Sequence, residues 1–163
     1  MVHPDIAIRR ALVSEAAQLT DLAMRSKAMW GYDERFMAQC VDELTIEKTA
    51  IAAGNVWVAE ADGAIVGLLE LILEGRSAEL RMIFVEPVWV RSGVGRVLWA
   101  HAEAHALAFG AETLELDADP NAMPFYERMG MRQIGESPSG SIPGRTLPRM
   151  AKRLGAGSHG RAA

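Results

Sequence analysis

The sequence predicts a mixed α/β fold: a central, mostly antiparallel sheet flanked by helices. Three observations carry this. The segment "NVWVAEADGAIVGLLELIL" is two apolar runs joined by Asp62-Gly63, a dipeptide suited to a tight hairpin turn. A third apolar run, "AELRMIFV", follows with no helix between, and consecutive strands on short links pair antiparallel. Helical patterns lie before this block and after it. At 163 residues the chain suits one well-packed domain, expected over 1–154, with 155–163 as a flexible tail.

Taken in order, "IAIRRA" alternates apolar and polar residues as a half-buried strand does. Ser14 is expected to cap the next helix, in which Leu19, Leu22 and Ala23 share one face. Gly31 breaks that helix, and Asp33 is placed to cap a second through "ERFMAQCVDEL". The three strands follow, and Pro87 ends the last of them. Gly93 to Phe109 is helical and rich in alanine, with Gly110 as its C-terminal stop. "ETLELDA" is a strand, "DPNAMPFYERM" a short helix with Pro120 near its first turn, and "GMRQIGE" a further strand. "SPSGSIPGR" consists of turn residues. "TLPRMAKRL" is expected to be an edge strand, because Pro148 lacks the N–H that a central strand uses.

Composition narrows the function. Half the residues are apolar, 23% are charged and the formal net charge is −4, so nucleic acid and anionic membranes are not expected partners. One cysteine, Cys40, excludes an internal disulfide and a cysteine-based zinc cage, and reads as a small buried hydrophobe. There is no long apolar span and no apolar signal core at the start, from which a cytoplasmic protein is expected. His101 and His105 lie one helical turn apart, a spacing that can chelate, but Ala102 stands where a metalloprotease helix needs Glu. No metal is expected.

The chemistry concentrates at "VEPVWVRSGVGRVLW". Gly93 and Gly95 stand where a strand passes into a helix. The first N–H groups of a helix have no intrahelical partner, and its dipole is positive there. Glycines bring that backbone close to a bound phosphate. The stretch lacks the Gly-Lys-Ser/Thr of a P-loop, and Leu98 occupies the place of the third glycine of a dinucleotide fingerprint.

Two motifs together resemble the GNAT superfamily of acyl-coenzyme A-dependent N-acetyltransferases. "FVEPVWVRSGVGRVL" is similar to the family's strand, proline, Arg/Gln-x-x-Gly-x-Gly/Ala and helix. "DPNAMPFYERMGM" is similar to its Asn-x-x-Ala-x-x-hydrophobic-Tyr-x-x-x-Gly-Phe. The likeness covers roughly residues 5 to 154. Val90 departs from the usual Arg or Gln, Asp119 from Asn, and Met131 from Phe.

The resemblance implies acetyl-CoA as co-substrate and direct transfer of its acetyl group to a primary amine. It assigns the pyrophosphate to the backbone of Arg91, Ser92, Gly93, Val94, Gly95 and Arg96, and the pantetheine arm to the strand backbone at Ile83, Phe84 and Val85. Asn121 is assigned to the coenzyme, and Arg91, Arg96 and Arg128 are within the set that reaches its phosphates. Tyr126 matches the tyrosine that protonates the departing thiolate, and Glu79 is the candidate base, with Glu70, Glu115 and Asp117 as substitutes. Strand alternation sets Glu79, Arg81 and Ile83 on one face. Trp30 and Tyr32, at the helix break, are expected to contact the acceptor, and residues 131–145 to fold over the same pocket. The alternative is a non-catalytic acyl-CoA sensor. An exposed edge strand at the end of the domain makes a homodimer an expected partner state.

Overall fold

The computed structural model describes residues 5–155. The expected tail lies, beyond residue 155, outside the described residues. Seven strands form one sheet: β1 (Ala7–Arg10), β2 (Val56–Ala61), β3 (Ala64–Glu74), β4 (Ser77–Val85), β5 (Thr113–Asp117), β6 (Arg132–Pro138) and β7 (Thr146–Arg153). Their order is β1-β2-β3-β4-β5-β7-β6. Every neighbouring pair is antiparallel except β4 and β5. Among the described residues, five α-helices complete the fold: α1 (Ala16–Ala28), α2 (Glu34–Leu44), α3 (Lys48–Ala52), α4 (Val94–Phe109) and α5 (Met123–Arg128).

One face of the sheet carries α4. Leu98, Trp99, Ala102 and Ala106 of that helix pack on Trp57, Leu69, Leu71, Leu80, Leu114, Leu116 and Met150. Each large apolar side chain buried this way contributes about 1.5–3 kcal/mol. The other face is covered along β2, β3 and β4 by α1, through Leu19 and Leu22 against Val56, Val58, Leu68 and Met82. Helix α2 closes the layer with Met37, Cys40 and Leu44. The Asp62-Gly63 hairpin turn forms as expected, with φ of 54° and 76°. Gly67 sets how closely α4 approaches. A Cβ there would stand 2.9 Å from both Leu98 Cδ1 and Val94 Cγ1.

Four features depart from the sequence expectation. Ser14 does not cap α1; it lies inside a short 3₁₀ turn, Val13–Glu15. There Glu15 accepts the Leu12 N–H at 2.8 Å and binds Arg9, so a longer acidic side chain takes the capping role. Helix α3 escapes the periodicity because it is only 5 residues long.

Strand β7 is internal, and the exposed edge belongs to β6. Pro148 is tolerated because its backbone faces β5 one residue beyond the ladder, which ends at Asp117 opposite Arg149. Its carbonyl still accepts the Ala118 N–H at 2.8 Å. The edge on which a homodimer is expected therefore moves to β6.

The fourth departure concerns β4. Glu70 pairs with Met82 and Leu71 with Leu80, which leaves Arg81 as an extra residue in a bulge. Alternation resets there. Ala78 and Leu80 face the α4 layer before it, Ile83 and Val85 after it. Glu79 therefore points to the face opposite Ile83, away from α4.

Candidate active site

The parallel pairing of β4 and β5 covers only Ser77–Glu79 with Thr113–Glu115. Beyond Glu79 the strands fork, and β4 continues to Val85 with its β5-facing backbone unpaired by strand. A cleft of about 1260 Å³ occupies the fork. A single small-molecule pocket usually spans about 300–1,000 Å³, so this space suits two ligands meeting.

One end of the cleft is built from backbone. Ile83, Phe84 and Val85 line it, then Val90, Arg91, Ser92, Gly93, Gly95 and Arg96. Arg91 has φ of 68° and Gly93 of 95°, and both are left-handed. For arginine that conformation is uncommon and strained, a state that recurs at functional sites. A Cβ on Gly93 would meet nothing within 4 Å, so the space before it is open. Across this junction the Val97 N–H donates to the Gly93 carbonyl at 3.1 Å. The Ser92 N–H is already bonded to the Trp89 carbonyl at 3.2 Å, which leaves the start of the 16-residue helix α4, its positive end, beside the open space at Gly93. Val94 differs from its neighbours: its side chain is fully buried under the sheet, so only its backbone serves the loop. Arg128 and Asn121 line the same cleft.

Tyr126 stands where the two ends meet. It lines the cleft, is 8% exposed, and packs on Trp99 with ring centroids 6.1 Å apart. Burial pushes the phenol well above its ordinary range, and the Asp119 charge adds to this. The hydroxyl therefore stays protonated.

The other end is built from charged side chains that come from distant parts of the chain. Asp119 is the hub of one cluster. It accepts the Asn121 N–H at 2.9 Å, Lys27 Nζ at 3.0 Å and the Tyr32 hydroxyl at 2.8 Å. Tyr32 Oη in turn accepts from Arg145 Nη2 at 2.9 Å and Asn121 Nδ2 at 3.1 Å. Burial works to raise the Asp119 carboxyl, but the Asn121 N–H and Lys27 outweigh it and hold it below the usual range. Tyr32 also stacks on Phe36 at 4.1 Å, with Lys27 and Arg145 against the pair. So Trp30 lines the cleft, whereas Tyr32 braces its wall. The segment after β6 is docked: Ile142 packs on α2, Ser141 bonds Glu43, and Pro138 and Gly140 line the cleft.

A second cluster holds Glu79. Arg149 donates to its two oxygens at 2.7 and 2.6 Å, to Asp117 at 3.1 Å and to Glu115 at 3.0 Å. Glu79 and Asp117 line the cleft, and Arg149 stands behind them. Glu70, by contrast, is buried off the cleft, and burial raises its carboxyl above the usual range. The His101 and His105 rings lie parallel at 6.1 Å and pack on Trp57, on the sheet side of α4 away from the fork.

Sequence reasoning missed Lys27, Arg145 and Arg149. A signal for the last exists in the alternation. Leu114, Leu116 and Met150 face the α4 layer, so Glu115, Asp117 and Arg149 must share the other face.

Comparison with known proteins agrees with this geometry. The family profile described as an acetyltransferase (GNAT) domain matches residues 13–154. The PaiA N-acetyltransferase of Thermoplasma acidophilum, solved in complex with coenzyme A, superposes with a TM-score of 0.76 at 21% identity, over 92% of this chain and 99% of that one. A GCN5-related N-acetyltransferase of Rhodopseudomonas palustris gives 0.74 at 27% identity, over 94% and 99%. The ribosomal-protein-S18-alanine N-acetyltransferase of Escherichia coli gives 0.69 at 17% identity, over 92% and 94%. Among curated proteins, none matches the sequence. The chain belongs to the GNAT family of acetyltransferases.

Proposed function

We propose that this protein is an N-acetyltransferase that moves the acetyl group of acetyl-CoA directly to a primary amine. The observation that carries the reading is the meeting of three parts at one fork: the left-handed Arg91–Gly93 loop at the head of α4, the open backbone of β4, and the buried Tyr126. The pyrophosphate would lie along the loop backbone of residues 91–96, in which the Ser92 N–H is kept by the Trp89 carbonyl, with Arg91, Arg96 and Arg128 at hand as counter-charge. The pantetheine arm would pair with Ile83–Val85, as an added strand pairs with an open edge. Asn121 would meet the coenzyme from the head of the α5 segment.

In this reading the amine enters from the end walled by Trp30, Pro138 and Gly140 and attacks the thioester carbonyl. The C–N bond forms as the C–S bond breaks, and the electron pair leaves with sulfur. Tyr126, held protonated by burial, donates the proton that the thiolate takes up. Glu79 faces the acceptor side and takes the proton lost by the amine, directly or through water. Release of free thiol from acetyl-CoA with a panel of primary amines tests the reading. A non-catalytic acyl-CoA sensor would bind the coenzyme and release no thiol with any of them.

A further inference from the structure

Glu79 is not free in the fork. It sits in the last residue pair before β4 and β5 separate, opposite Glu115. Its register neighbour on β3 is the apolar Ile72. From β5, Glu115 and Asp117 face the same side as Glu79, and from β7 comes the only cation hydrogen-bonded to it among the described residues, Arg149. On β6 the residue opposite Arg149 is Gly135, which has no side chain to compete for the guanidinium. Arg81, the next charged residue on β4, acts on Glu70 instead.

We propose that Arg149 is a positioning residue for acyl transfer: it fixes the Glu79 carboxylate at the fork and supplies the charge that lets three carboxylates stand together there. The inference rests on the reading of Glu79 as the base. Arg149 does not line the cleft, so it acts through Glu79 and not on the substrate. Its backbone is held in register with Asp117 on one side and Gly135 on the other, which makes it a rigid mount. Its two terminal nitrogens make all four bonds, two of them as a fork onto Glu79. A lysine would keep the charge but lose the fork. Without any cation, three like charges would face one another at the fork.

The test follows thiol release from acetyl-CoA with tyramine, lysine, ethanolamine and a peptide with a free amino terminus, over about pH 5.5 to 9. Arg149→Met is expected to lower kcat about tenfold or more, with acetyl-CoA affinity unchanged. Arg149→Lys should still lower kcat, though less than Arg149→Met, because the charge remains and the two-pronged geometry does not. A purely structural role would lower the melting temperature of both variants and leave the kcat of the folded protein alone, and that result overturns the proposal. Should Arg149→Met fail to fold, Arg149→Lys decides: wild-type kcat in that variant overturns the positioning claim. Glu79→Gln runs alongside. If it matches wild type, the base reading falls and the inference falls with it. If it is impaired while both Arg149 variants behave as wild type, only the inference falls. No thiol release by the wild-type protein with any amine overturns acyl transfer itself.

Discussion

The two ends of the cleft are made of different materials. The end proposed for the coenzyme is backbone: a left-handed loop, a helix start and an unpaired strand, all within residues 83–96. The end proposed for the acceptor is side chains: Lys27, Tyr32, Asp119 and Arg145 in one cluster, Glu79, Glu115, Asp117 and Arg149 in another. A backbone cradle binds whatever presents a pyrophosphate, so it is fixed by conformation. A side-chain wall recognises by placement of charge and is rebuilt by single substitutions. The contrast makes the first end general and the second specific.

The largest expected effect lies where the ends meet. Tyr126→Phe keeps the packing on Trp99 and deletes the proton donor. Turnover should fall by about 10² to 10⁴, the usual worth of general acid catalysis, with little change in coenzyme affinity. Turnover and melting temperature measured on Phe and Ala variants separate this from packing, which predicts an active Phe variant and an unstable Ala one.

Next, Gly93→Val should weaken acetyl-CoA binding about 100-fold by calorimetric titration. A β-branched residue resists the left-handed backbone, at a strain of order 1–3 kcal/mol, and its side chain enters the open space of the cradle. Gly67→Ala is the matched control. Its methyl meets α4 at 2.9 Å, so it should destabilise by about 1–3 kcal/mol, read as a lower melting temperature, without touching the phosphate loop. Equal losses of coenzyme affinity in both variants would erase the distinction between a site glycine and a packing glycine.

The ends should also differ in acid. Asp119 is held below its ordinary range in the folded state, so its contribution to stability is full above the unfolded value near 3.9 and is lost as pH falls further. Hydrogen exchange in residues 139–145 should therefore rise below about pH 4 before exchange in residues 83–96 does. Simultaneous loss of protection in both segments would contradict an independent acceptor wall. The smallest effect is expected from Tyr32→Phe. It removes hydrogen bonds to Asp119, Arg145 and Asn121 and should cost about 1–3 kcal/mol of stability. The Michaelis constant for the amine should rise a few-fold, and the dissociation constant for coenzyme should not.

The same division explains what the sequence made legible. The strands, the Asp62-Gly63 hairpin, the Gly93 loop and the Asp33 cap are local: each is written in a few adjacent residues and is found where expected. The failures are tertiary. The bulge at Arg81 arises from pairing with β3, and no feature of "AELRMIFV" announces it. Pro148 points to an edge strand until the early end of β5 is known. Arg149 reaches Glu79 across 70 positions of sequence, so its role depends on a strand order that local patterns do not encode. Tyr32 is expected from the sequence to contact the acceptor, whereas its hydroxyl is directed to Asp119 by contacts spanning 87 positions.

The central claim is that acyl-coenzyme A is held by backbone at residues 83–85 and 91–96, while the acceptor wall stands apart. Titration of the ¹⁵N-labelled protein with acetyl-CoA, followed by amide chemical shifts, tests it most directly. The account predicts the largest changes at the amides of residues 83–85 and 91–96, with residues 139–145 and 149 changing least. Binding that shifts the latter set most, or that leaves the amides of 91–96 unmoved, would contradict it.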